Sequence, residues 1–288
     1  AFSQVAAKAP PVHKGEARLE VERRIREGES LVGLDLSDLD LSGFDLSGQR
    51  LTGCRFDRTR LHGVRMRGVD LSGASFEGAE ASDADFDDAI LERTNFVNAK
   101  LAGSRLRRVF LTDANLTTAD LTGAVIDQAS GLRTIFCRAR LDRASMQGAT
   151  LDGADFTEAQ LDDAILEGAL LPELRAYEIS AEGARFSRAS LRGARFDGAV
   201  LGRARFDHVH ADDSIWDRSV LDGASLEGAR LVGASFTKAS LRGATLTGAD
   251  LSEARFNRAS LAGARLVGID LTAVTLDGAD LSGVVTEV

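Results

Sequence analysis

The chain of 288 residues is 27% charged and 44% hydrophobic, the balance of a soluble folded protein. A net charge of −9 and a pI near 5.1 argue against direct nucleic-acid binding, because holding phosphates wants a basic face. No apolar run approaches the roughly 20 residues of a membrane span, and no basic n-region with an apolar h-region opens the chain. The two cysteines, Cys54 and Cys137, exclude a disulfide framework or a four-cysteine metal site and fit a reducing, cytoplasmic location. The chain opens on Ala1 rather than methionine, as a processed form or a piece of something longer would.

Residues 1–13 are small, carry Pro10 and Pro11 and show no period, so a flexible tail is expected. Residues 14–29 turn helical. Ala17, Val21 and Ile25 fall on one stripe with Leu19 beside it, and charges cover the rest. The array that follows has an open hydrophobic end, so this short helix reads most simply as a cap, with a docking helix for a partner as the alternative.

From Leu31 to Leu281 a large apolar residue returns at every fifth position, broken only at Ala81, Gly131, Ala176, Ala181 and Ala211. Two residues before it stands a small one, as at Ala74, Ala79, Ala84 and Ala89, although Leu34, Leu39, Phe44 and Gln49 make the earliest units bulkier. Glycine is common at the last place of the unit (Gly73, Gly123, Gly153), where the chain must turn tightly or adopt positive φ. A period of five is neither helical nor that of a strand, and it marks residues 30–285 as a solenoid.

A second period lies over the first. Steps of 20 from Leu36 land on Phe56, Phe76, Phe96, Leu116, Phe136, Phe156, Ala176, Phe196, Trp216, Phe236 and Phe256, whereas steps from Leu31 or Leu41 meet no phenylalanine. Four units therefore complete one lap, and the rings are expected to form an internal aromatic ladder. Units such as Ala154-Asp155-Phe156-Thr157-Glu158 and Ala249-Asp250-Leu251-Ser252-Glu253 resemble the pentapeptide repeat family, whose motif is A(D/N)Lxx, over roughly 250 residues. The resemblance implies an all-β solenoid, a right-handed four-sided β-helix of about 12–13 coils, on the order of 60 Å long.

Three stretches depart from the motif: 127–135, 170–181 and 208–215. Because the 20-residue phase survives them, locally bulged coils are expected, with short projecting loops as the alternative. At the other end the repeat runs to Leu281 without a capping segment, which predicts an end-to-end homodimer through the last coil, or a further segment downstream.

No catalytic constellation, cofactor motif or metal-ligand set appears. His208 and His210 flank Val209 and suit at most a weak surface metal, and the serines and threonines fill polar repeat slots. Two surfaces are candidates for a protein partner. One is an apolar stripe of Ile90, Phe110, Leu132 and Leu170, unless the irregular stretch at 127–135 folds over it. The other is acidic, around Asp83, Asp85, Asp87, Asp88, Asp162 and Asp163. The expected function is a non-enzymatic interaction scaffold, similar to repeat domains of larger bacterial adaptors such as those of type VI secretion. The alternative implied by the family is a DNA mimic that binds and inhibits or protects gyrase. Against that alternative, the chain lacks the C-terminal dimerising helix and carries arginines at 50–67, 105–108 and 185–205.

Overall fold

In the computed structural model, residues 14–287 are described; the expected tail at 1–13 lies outside the described residues. The helix α1 (Lys14–Glu27) precedes a solenoid in which every fifth residue bridges the residue 20 positions later, always in parallel. Asp35↔Arg55, Asp40↔Arg60, Asp45↔Arg65 and Arg50↔Asp70 open the four columns, so four pentads make one lap of a four-sided β-helix.

One pentad shows why the motif has its form. Leu71 N–H donates to Ile90 O (2.8 Å), Gly73 N–H to Glu92 O (2.8 Å) and Ser75 N–H to Cys54 O (2.9 Å), which joins the coil to both neighbours. Ala74 N–H closes the corner on Leu71 O at 2.9 Å, with Gly73 at φ 66, a type II turn. Only Ser72 N–H remains, and Asp70 Oδ1 accepts it at 3.0 Å. The aspartate or asparagine of the motif thus satisfies the one backbone donor that the ladder leaves. In some pentads whose outward residue cannot do this, a turn aspartate one coil earlier does: Asp57, Asp127, Asp217 and Asp222 accept from the amides of Glu77, Gln147, Thr237 and Arg242.

The inward leucines, phenylalanines and alanines form one continuous buried core. Phe56, Phe76 and Phe96 stack at centroid distances of 4.6 and 4.8 Å, Phe136 lies on Phe156 at 4.7 Å, and Phe196, Trp216, Phe236 and Phe256 continue the column. A second column, which sequence reading did not foresee, stands on the opposite wall. Phe86 meets Phe76 and Phe96 edge-on at 5.9 and 6.0 Å, and Phe186 and Phe206 do the same to Phe196. Trp216 is fully buried and donates its Nε1–H to Ser214 Oγ at 2.7 Å, which satisfies the indole; the buried Ser104 hydroxyl is left without a partner.

The irregular stretches neither bulge nor loop out; their coils keep the 20-residue register. At 170–181 and 208–215 the large and small inward slots exchange occupants. Leu174 and Ile179 stand where alanine is usual, Ala176 and Ala181 where leucine is usual, and Val209 with Ala211 repeats the exchange, all buried. The volume per coil is conserved, so the lap is undisturbed. At 127–135 the cause differs. A Cβ on Gly131 would stand 2.8 Å from the Leu111 carbonyl carbon, so glycine is needed for close approach. There the chain extends into β1 (Ser130–Leu132), paired in register with β2 (Thr150–Asp152).

At the first coil, α1 buries Val21 in the core, Ile25 packs beside it, and the Arg18 guanidinium lies 4.7 Å from the Phe44 ring centroid. The bulky early residues therefore serve as a seat for the helix. Near the other end a 3₁₀ turn at Leu271–Ala273, capped by Asp270, replaces one corner of the coil.

Two tests follow from this packing. Ala176→Leu is expected to cost about 1–3 kcal/mol by overpacking, and Leu174→Ala about 2–5 kcal/mol by leaving a cavity. The double variant should lose clearly less than their sum in denaturant unfolding. The motif aspartates supply the pH test. Serine hydroxyl and amide donors hold the carboxyls of Asp35, Asp40, Asp70 and Asp250 below the usual range. Their folded pKa values lie under the unfolded value of about 3.9, so their contribution is present above it and is lost as pH falls through the folded values. The thermal midpoint should stay level from pH 7 to about 5 and drop below about 4.

Candidate protein-interaction face

The outward bridge residues run in straight lines along the rod, about 4.8 Å apart. Where two residues drawn from Asp, Glu, Lys and Arg bridge, they are nearly always of opposite sign. One column reads Asp40, Arg60, Glu80, Lys100, Asp120, Arg140, and another Asp45, Arg65, Asp85, Arg105. The ion pairs are direct: Lys100–Glu80 at 2.7 Å, Arg65–Asp45 at 3.1 Å and Arg140–Asp120 at 3.4 Å. Each exposed pair contributes little by itself, but like charges at this spacing would repel.

The same arrangement disperses the acidic run. Asp87 is buried and held by Arg105 at 2.5 Å and by the Arg107 amide, and Asp88 lies between Arg108 and Arg67. Asp85 caps the Asp87 amide, and Asp83 sits 3.8 Å from His62. Asp162 accepts from Ser180 and the Glu182 amide, while Asp163 fills a turn position at φ 57. Of the residues that suggest one acidic surface, Asp87 and Asp88 are paired with arginines, Asp85 and Asp162 accept backbone amides, and Asp83 and Asp163 stay in exposed turns.

The apolar candidates lie differently. Ile90 bridges Phe110, Phe110 bridges Ser130, Ser130 pairs with Thr150, and Thr150 bridges Leu170. This column carries no ionised residue from Ile90 through Ser190. Ile90 is 36% exposed, Phe110 49% and Leu170 48%. Leu132 is equally open but stands off the column, two residues past Ser130 and paired with Asp152. The stripe is therefore an Ile90–Phe110 patch and a separate Leu170, with Leu132 at the edge, and the stretch at 127–135 does not cover it. Phe110 is the only exposed phenylalanine among the described residues. Sequence reading missed a second uncharged run, from Gln160 to Ser260, that sets half-exposed Val200 against Val220; the step of 20 already carries that signal.

Burial pushes the Cys54 and Cys137 thiols up to about 11, Asp155 adding to the effect at Cys137. Both are protonated and poor nucleophiles at neutral pH. Among the described residues no group of three His, Cys, Asp or Glu is placed to hold a metal ion, and His208 and His210 lie in different slots of the coil. No helix among them is long and apolar enough to cross a membrane.

The profile of the family described as Pentapeptide repeats matches residues 30–68, 54–93, 94–130, 134–171, 180–214, 219–258 and 249–285. Among solved structures, the chain is 27% identical to HetL, a pentapeptide repeat protein involved in heterocyst differentiation regulation from the cyanobacterium Nostoc sp. strain PCC 7120. That match covers 93% of this chain and 95% of HetL, at a TM-score of 0.43. A pentapeptide repeat protein of the Arabidopsis thaliana thylakoid lumen is also 27% identical, over 42% of this chain and 71% of that one, at a TM-score of 0.32. QnrB1, a plasmid-mediated fluoroquinolone resistance protein, is 18% identical over 86% of this chain and 90% of its own, at 0.29. No curated protein matches the chain. The repeat profile covers most of the sequence, and the chain belongs to the pentapeptide repeat family.

Proposed function

We propose that this chain is a non-enzymatic scaffold that binds a protein partner through the uncharged column around Ile90 and Phe110. The observation that carries this is Phe110 itself, a half-exposed aromatic in an uncharged column of outward residues, next to columns whose charged residues are ion-paired. Buried aromatic anchors ringed by arginine are typical of interface centres. Arg93 and Arg107 occupy the turns flanking the patch and make no ion pair among the described residues, so a partner surface of apolar and carboxylate side chains suits it. The same proposal covers a repeat domain within a larger bacterial adaptor, acting in the cytoplasm.

The DNA-mimic alternative draws support from the net charge of −9 alone. The local geometry opposes it, because Asp87 and Asp88 are neutralised by arginines. Purified protein is expected not to inhibit gyrase supercoiling at micromolar concentration, and inhibition there would reverse the ranking. Phe110→Asp, an exposed change expected to alter stability by no more than about 0.5 kcal/mol, should lose a partner that the wild type retains in pull-downs. Recovery of the same proteins with both forms would remove this face from consideration.

End-to-end pairing belongs to the same proposal. In the last coil Leu276 and Val284 are only partly buried, and Leu281 is 40% exposed. Light scattering should show a dimer that Leu281→Glu dissociates; a strict monomer at high concentration would rule the pairing out.

A further inference from the structure

The alternation of charge along the columns fails at Arg175↔Arg195 and Arg185↔Arg205, in neighbouring coils. Like charges set directly opposite one another are destabilising, so their persistence calls for a cause. Each stack is offset in part by carboxylates of the chain. Arg175 pairs with Asp155 at 3.4 Å, and Arg195 pairs with Asp197 and lies 5.1 Å from the Tyr177 ring centroid. The second borders an open groove of about 620 Å³, within the size range of ligand sites. Arg188 and His208 line this groove as well, and among the described residues neither makes an ion pair.

We propose that this groove binds a phosphate-type oxyanion, inorganic phosphate or a phosphomonoester. Arg185 is held by Glu167 at 2.6 Å and Arg205 by Asp207 at 3.0 Å, so both guanidinium groups are fixed in place while keeping further N–H donors. Asp207 is buried and also accepts from Ser225 and Ser187, which commits its oxygens to the protein. Arg188 adds an uncommitted fork one turn away, and His208, which stands against Gly228, adds a ring donor. Three arginines lining one groove suit a tetrahedral anion with many acceptor oxygens better than a single carboxylate. Glu227 also lines the groove, makes no ion pair among the described residues and opposes the anion, which gives the proposal a signed test.

The test is an NMR titration of the intact chain with inorganic phosphate at constant ionic strength. O-phosphoserine runs alongside it to separate a phosphomonoester site from one for free phosphate, and acetate serves as the carboxylate control. Saturable shifts are expected at Arg185, Arg188, Arg205 and His208 with phosphate or phosphoserine, and much weaker ones with acetate. Arg188→Ala should weaken binding about tenfold, the size of one charge-assisted hydrogen bond. Glu227→Gln should tighten it, and Arg218→Ala, in the separate cationic line Arg218, Lys238, Arg258, should change nothing. Non-saturating shifts shared equally with Arg218, Lys238 and Arg258 would overturn the proposal, as would an Arg188→Ala variant that binds like the wild type.

Discussion

The constraint on which the rest depends is the intercoil hydrogen-bond register. In a pentad such as 71–75, three of the five amides bond to neighbouring coils and one closes its own corner, and where aspartate or asparagine precedes the inward residue its side chain accepts the fifth. Because the intercoil bonds recur at a fixed spacing, a coil cannot gain or lose a residue without orphaning donors in its neighbours. The 20-residue lap follows from that, and so do the straight columns of inward rings and outward charges. The core is consequently tolerant of exchange within a coil, as at Leu174 and Ala176, and intolerant of insertion.

Outward chemistry inherits the same register. A charged residue meets the residues 20 positions before and after it, so surface electrostatics is organised by column. The alternating ladders of the first half make this wall largely self-satisfied and leave little net field to attract a partner. Places that escape the ladder therefore stand out physically. The uncharged run through Phe110 offers dehydration energy, and the arginine stack at Arg185 and Arg205 offers uncommitted donors.

Much of this was legible in the sequence, because a strict period converts position into place. The aromatic column beginning at Phe56 and the cap from Val21 and Ile25 could be read directly. The second column is harder to read because Phe86 is separated from the stacked pair Phe186 and Phe206 by Leu106, Ile126, Met146 and Leu166, which interrupt a pattern without interrupting a core. The exchanged slots looked like bulges because size was judged slot by slot, whereas packing responds to the volume of the whole lap. Asp83 to Asp88 looked like an acidic patch because chain neighbours were counted; the relevant neighbours, Arg67, Arg105 and Arg108, lie one coil away. Leu132 was assigned to the apolar stripe for the converse reason, since two residues beyond a full lap is a different slot.

The register can be measured without reference to any partner. Scalar couplings across hydrogen bonds, detected by NMR on labelled protein, connect a donor nitrogen to its acceptor carbonyl carbon. Couplings should link Leu116 to Ile135, Ala176 to Arg195 and Phe196 to Ile215, each spanning 19 residues across the irregular coils. Couplings from these nitrogens to any other carbonyl would mean that the lap changes length there, and the columns on which both proposed surfaces rest would not exist.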